Sequence, residues 1–292
     1  MKVLITGATG FIGVNLIKSL AAIKKYELFG VGRSSLDAPN YSHLQLDISK
    51  EGWTEKINEN MDVIIHLAQS KHYRNFPKGN KDLININIKA TLELVEWACT
   101  HKVTKFILAS SGNIYGFSEG KRKEIDTPRP DSIYSITKYS SELLAMYYSR
   151  FFQVIIMRLF GIYGPDQKDM LIPRLVRMIK QGKKIHIGKN GGLHITPLYI
   201  TDCIRVIMKL IERPTNKNPL YMNVAGDQEL DLESVIKIIE QVLHKKAVKR
   251  YKNERAKYLI GSNTMMKTLT RIKKTKDFSY GIRKTIRTLE KN

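Results

Sequence analysis

Cysteine is nearly absent: the 292 residues include only Cys99 and Cys203. With no Cys-x-x-Cys or metal-type spacing, a disulfide framework and a cysteine metal site are both excluded, and a reducing compartment is implied. Long apolar runs are missing too, none approaching the ~18 residues of a membrane span. The opening stretch Met1–Thr6 breaks at Gly7, too short for a secretory signal, so a cytoplasmic protein with no membrane partner is expected. No Gly/Pro/Ser-rich linker, repeat or low-complexity tract separates one part of the chain from another. Acidic residues are scarce, 27 against 49 Lys and Arg, for a net charge of +22.

Much of that excess sits late. Residues 241–292 carry sixteen Lys or Arg and three Asp or Glu. A basic tail can serve a polyanion. Here, however, Leu, Ile, Tyr and Phe interrupt the charges, which points to folded structure, and no nucleic-acid motif accompanies them. A nucleic-acid partner is not expected.

What is present is a regular alternation. Short β-branched runs at Lys2–Thr6, Glu27–Gly32, Leu44–Leu46, Val63–Leu67, Lys105–Ala109 and Gln153–Leu159 read as strands. Helical patterns at about 11–22, 81–101 and up to 150 separate several of them. This predicts a doubly wound parallel α/β sheet over residues 1–163. Residues 164–292 are expected to form a smaller substrate-binding lobe, with some elements returning to the main sheet. Its helices are predicted near 170–181, 202–212, 231–243 and 281–290, and its strands at 197–200 and 220–224.

Gly7, Gly10 and Gly13 follow the first strand directly and open a helix, the setting of a dinucleotide-binding turn. Gly7 permits the turn, Gly10 a close backbone approach to pyrophosphate, and Gly13 tight helix–strand packing. Nineteen residues after Gly13, the second strand ends at Gly32-Arg33-Ser34-Ser35. No carboxylate is there to repel a 2′-phosphate, and the Arg33 guanidinium can fork onto one, so NADP is expected. The alternative is that Arg33 stacks on the adenine of NAD.

Tyr134-Ser135-Ile136-Thr137-Lys138 places a phenol and an ammonium four residues apart, on one face of a helix. A tyrosine titrates near ~10. A neighbouring cation lowers that value and makes the phenol a usable acid or base near neutrality.

Taken in order, these motifs resemble the extended short-chain dehydrogenase/reductase family, the NAD(P)-dependent epimerases and dehydratases with a Rossmann fold. The resemblance spans nearly the whole chain. It includes Gly7–Gly13, Asp47-Ile48, His66-Leu67-Ala68, Asn87, Ser110–Gly116, Tyr134 with Lys138, Arg158 with Tyr163-Gly164-Pro165, and Tyr199–Asp202. It implies that Ser111 binds the reacting oxygen, Tyr134 exchanges its proton, and Lys138 lowers the tyrosine pKa and binds the nicotinamide ribose. It also implies a cofactor site comprising Gly7, Gly10, Phe11, Ile12, Gly13, Arg33, Asp47, Ile48, Leu67, Ala68, Asn87, Tyr134 and Lys138, and a homodimer paired through two long helices. His66 is expected to be a packed, hydrogen-bonded neighbour of that site. His72 and Tyr73 fall in a polar loop that either covers the substrate or stays mobile.

Departures narrow the reaction. Dehydratases of this family carry an Asp-Glu pair directly after the catalytic hydroxyl residue; Gly112-Asn113 stand there instead. UDP-sugar 4-epimerases have an Asn where this chain has Gly161. They also have an Arg-Asp-aromatic segment where it has Ile195-Thr196-Pro197. The function implied is an epimerase or ketoreductase acting on a nucleotide-activated sugar. The alternatives are an NADPH-dependent reductase of a small carbonyl compound and a non-catalytic NAD(P)-sensing polyanion-binding protein.

Overall fold

The structure is a computed structural model and describes residues 1–117 and 119–289. The chain divides into two compact units. The first comprises Met1–Gly116, Thr127–Arg158 and Ile207–Met222, and the second Phe117–Asp126, Leu159–Val206 and the residues from Asn223 onward.

The first unit is built on β1 (Lys2–Thr6), β2 (Glu27–Gly32), β3 (Tyr41–Gln45), β4 (Val63–His66), β5 (Lys105–Ser111) and β6 (Gln153–Leu159). With β11 (Leu220–Val224) they make one seven-stranded sheet, ordered β11-β6-β5-β4-β1-β2-β3. Val3 pairs in parallel with Leu28 and Val63, Leu28 with Tyr41, and Ile64 with Phe106. The order reverses at β1, which lies between β2 and β4. Such a switch point opens a crevice at the carboxyl ends of the strands. Every residue of β5 is buried, as its apolar run requires. One face of the sheet packs Leu4, Phe29, Ile64, Phe106, Val154 and Ile156 against Leu94, Val95, Trp97 and Ala98.

The helices of this unit are α1 (Phe11–Ala21), α2 (Asn80–Leu83), α3 (Ala90–Thr100) and α4 (Ile133–Tyr147). The helix expected over 81–101 is present as an unbroken helical segment, but its hydrogen-bond period changes part-way along. Between α2 and α3 the chain makes a π-turn at Ile84–Lys89. The sequence there, Ile-Asn-Ile-Asn-Ile-Lys, alternates with period two, which offers no single apolar stripe at 3.6-residue spacing. The Lys105 ammonium, on a buried strand, donates to the carbonyls of Leu210, Ile211 and Arg213 at 2.7–2.9 Å. It satisfies the end of α6 (Ile200–Glu212).

The second unit holds small sheets. β7 (Ile162–Tyr163) pairs with β10 (Leu198–Tyr199), and β8 (Lys184–Ile187) with β13 (Val248–Tyr251). β9 (Leu193–Ile195) lies between β12 (Leu230–Asp231) and β14 (Lys257–Leu259). Its helices are α5 (Leu171–Lys180), α7 (Leu232–Leu243), α8 (Thr264–Thr270) and α9 (Phe278–Leu289). Asp227 anchors its later part, accepting from Asn263, Lys267 and the Thr275 N–H at 2.7–2.9 Å. Of the described basic residues in the last segment, Lys249, Arg250 and Lys257 lie on strands and Lys267, Arg283, Lys284 and Arg287 on helices, while the rest lie in the connections between them. Among the described residues no helix is long and apolar enough to cross a membrane.

Candidate active site

The glycine turn is closed from two sides. Gly7 has φ +69°, and a Cβ there would lie 2.8 Å from the Ala68 nitrogen that follows β4. At Gly13 a Cβ would fall 2.3 Å from the Gly7 carbonyl. Substitution is thus excluded at both ends of the turn by backbone atoms that cannot retreat. Gly10 caps α1 without a side-chain hydrogen bond, so the N–H groups of the first turn, at Phe11, Ile12 and Gly13, remain available to an anion. This cradle fits a pyrophosphate.

One strand away, Arg33 is exposed beyond β2; against partial burial, hydrogen bonds from Ser49 and, behind them, the Arg33 charge hold the Asp47 carboxyl below the usual carboxylate range. Asp47 accepts from the N–H and hydroxyl of Ser49, at 3.1 and 2.8 Å. Ile48 is half-buried against the core. Asp47 follows β3 while Ser111 ends β5, four strand spacings or about 19 Å apart. Only an extended ligand touches both.

At the other end the structure brings Ser111 and Tyr134 together. Ser111 Oγ accepts from the Asn113 N–H at 3.2 Å, which fixes the hydroxyl at the start of a single 3₁₀ turn. Helix α4 begins with a reciprocal cap between Ser132 and Ser135, which sets the start of the helix one residue before Tyr134. Tyr134 Oη donates to Gln69 Oε1 at 3.1 Å, and its ring meets Tyr73 at 5.3 Å between centroids. Burial pushes the phenol up to about 12; the Ser111 hydroxyl acts in the opposite direction. Desolvation of the phenolate is the largest effect on this phenol, which therefore stands above the ordinary tyrosine value and not below it.

Lys138, one turn on, is 2% exposed and makes no direct hydrogen bond or ion pair among the described residues. Burial drops it to about 8, and Glu142 beyond it opposes the drop. Glu142 is fully buried. It receives Arg158 Nη2 at 2.9 Å and Arg158 Nε at 3.2 Å on each oxygen, and the Ser110 hydroxyl as well. Arg158 reaches on to Tyr115 Oη at 2.6 Å. Tyr134, Lys138 and Glu142 thus occupy one stripe of α4, at i, i+4 and i+8. The sequence reading missed Glu142 and Gln69; the i+8 spacing was the one available signal for Glu142.

His66 is packed and hydrogen-bonded. Thr91 donates its hydroxyl proton to the Asn87 carbonyl, so His66 Nε2 donates to Thr91 at 3.0 Å, and Nδ1 accepts from Thr6 at 2.6 Å. The ring is held neutral, its pKa lowered to about 3 by burial and by Lys138. Asn87 braces this side from within the π-turn. Its amide oxygen accepts from the Ser70 N–H and its NH₂ donates to Thr137, at 3.1 and 3.0 Å. Leu67 and Ala68 continue β4 alongside the glycine turn.

The model of the NAD dependent epimerase/dehydratase family matches residues 3–225. A Bacillus subtilis protein described as an uncharacterised UDP-glucose epimerase is 31% identical over 87% of this chain and 86% of its own. The UDP-glucuronate 4-epimerase of Thermodesulfobacterium geofontis is 28% identical over 86% and 83%. The crystal structure of UDP-glucuronic acid 4-epimerase from Bacillus cereus, solved with UDP-glucuronic acid and NAD, superposes with a TM-score of 0.90 at 27% identity, covering 100% of this chain and 99% of that one. The protein is an enzyme with a Rossmann-like α/β fold, and it belongs to the NAD-dependent epimerase/dehydratase family.

Proposed function

We propose that this enzyme epimerises, or reduces, a C–O centre of a nucleotide-activated sugar, with Tyr134 as its acid/base. The observation that carries the reading is the meeting of Ser111 and Tyr134 at the sheet's carboxyl edge, with a buried, unpaired Lys138 one turn away. Gly7, Gly10, Phe11, Ile12 and Gly13 would hold the pyrophosphate of the dinucleotide. Arg33, Asp47 and Ile48 would serve its adenosine end, and Lys138 its nicotinamide ribose. When bound, the nicotinamide supplies the carbon that takes up or returns a hydride. Ser111 orients the reacting oxygen, and Tyr134 removes or returns its proton. Lys138 places positive charge where the phenolate forms. Asn87 acts through Thr137 and Ser70, holding the helix and the loop that face each other across the site.

Gly112-Asn113 in place of an Asp-Glu pair argues against dehydration. The diphosphate is expected to be bound differently than in UDP-sugar 4-epimerases. Gly161 brings no side-chain amide to its position, and Ile195, which is buried, brings no charge to its own. These two positions favour the reductase of a small carbonyl as the second reading. The test is a panel of UDP-, dTDP- and GDP-sugars incubated with wild type and Tyr134→Phe, with products read by NMR and cofactor by absorbance. Interconversion without net cofactor consumption supports the epimerase, and NADPH oxidation by small carbonyls alone supports the second reading. Undiminished turnover in Tyr134→Phe refutes the acid/base role.

For the cofactor we infer NADP, from the exposed Arg33 and the absence of a carboxylate at the end of β2. Fluorescence titration with both reduced cofactors tests this, and tighter NADH binding overturns it. A homodimer is inferred from the exposed apolar residues of α4, namely Ile136, Leu143, Met146 and Tyr147. Light scattering of the purified protein checks it, and a monomer at micromolar concentration refutes it.

A further inference from the structure

Gln69 occupies a built position. On one side the Ala68 N–H reaches Thr6 Oγ1 at 3.4 Å; on the other the Ser70 N–H donates to Asn87 at 3.1 Å and the Ser70 hydroxyl to Asp82. The His72 N–H then returns to Ser70 Oγ at 3.0 Å. The backbone around Gln69 is therefore pinned, and its side chain is directed to one atom, Tyr134 Oη, whose proton it accepts. A carbonyl acceptor stabilises a phenol over a phenolate, whereas an amide NH₂ does the opposite. A glutamine can present either.

We propose that Gln69 is a positioning residue that holds the Tyr134 proton in the resting enzyme and yields its place to the reacting oxygen of the substrate. The inference rests on the acid/base reading of Tyr134. It accounts for a phenol whose proton lies on an amide oxygen, while Ser111 Oγ is engaged by the Asn113 N–H. The other groups facing Tyr134 are Ser111 at the end of β5, Tyr73 with Arg74 stacked on it at 5.0 Å, and Lys138 with Glu142 along α4. All of these stay in place when Gln69 alone is changed. Gln69 is exposed, so its replacement leaves the core intact. As the proton passes to the substrate oxygen, the Gln69 amide is free to rotate and donate to the phenolate left behind.

The test places difluorotyrosine at position 134, which brings the phenol into an accessible pH range, and follows its titration by fluorine NMR. This is done in the otherwise wild-type protein, in Gln69→Ala and in Gln69→Glu. Loss of one solvent-exposed hydrogen bond to the neutral form corresponds to roughly half a pH unit. The titration is expected to move down by that amount in Gln69→Ala and up in Gln69→Glu, where a carboxylate opposes the phenolate. The pH limb of kcat/KM, measured with natural tyrosine, is expected to move in the same two directions. No shift, or shifts of the same sign in both variants, overturns the proposal. Because the NMR titration needs no turnover, a fully active Tyr134→Phe would remove the acid/base reading and leave the Gln69 contact separately decided.

Discussion

Replacing Lys138 with methionine should make the folded protein more stable while removing its activity. The ammonium is 2% exposed, and among the described residues it has no direct partner. Burial carries its pKa from 10.5 down to about 8. That difference corresponds to about 3 kcal/mol of native-state cost for keeping the charge. The sign follows from proton counting. Below pH 8 both states carry the proton and the cost is present in full. Between pH 8 and 10.5 the folded protein releases its proton while the unfolded chain keeps it, so native stability rises with pH. Methionine preserves most of the stem and removes the charge. Urea unfolding at pH 7 should therefore find Lys138→Met more stable by up to about 3 kcal/mol, with the gap closing toward pH 10. A variant less stable at pH 7, or a gap that does not narrow with pH, would refute the account of Lys138 as a stored, uncompensated charge.

Glu142→Gln leaves the buried Arg158 without its anion. Its cost by chemical denaturation should be about 3–5 kcal/mol, and Glu142→Gln/Arg158→Met should recover much of the loss. The same single variant should also lower the Lys138 pKa further, seen as an earlier alkaline fall in activity. Lys105→Met strands three carbonyls near the end of α6 and should destabilise by about 2–3 kcal/mol in the same assay. His66 stays neutral to about pH 3 in the folded state, whereas an unfolded histidine protonates near 6.5. Its contribution to stability is complete above pH 6.5 and is lost as pH falls toward 3. His66→Gln should show a shallower decline over that window, followed by circular dichroism.

The central sheet was legible because buried parallel strands are written as unbroken β-branched runs; Lys2–Thr6 and Gln153–Leu159 fell where expected. The glycine turn was legible because its spacing and its place after a strand are both local facts. The small strands β8, β13 and β14 were missed. Lys-Ile-His-Ile, Val-Lys-Arg-Tyr and Lys-Tyr-Leu are short, basic and half-exposed, and their pairing partners lie far off in sequence. Within the site, Tyr134 and Lys138 could be found from spacing alone. The direction of the tyrosine shift could not, because it depends on how much water reaches the phenol. Gln69 carries no signal of its own: its role comes from the two pinned residues beside it.

The π-turn at Ile84–Lys89 gives one helical segment two phases. Its wide turn accommodates one residue more than an α-helix would, and each α-helical residue advances the chain by ~100° about the axis. Deleting a single residue there would restore a regular helix and swing everything N-terminal to it by that angle. Leu83 would leave the core, and Asp82 would lose the Ser70 hydroxyl. Asn87, still fixed to α4 through Thr137, would keep its place. The insertion therefore works as a phase shifter: the C-terminal part of the segment is indexed to the sheet, the N-terminal part to the loop that carries Gln69 and Tyr73.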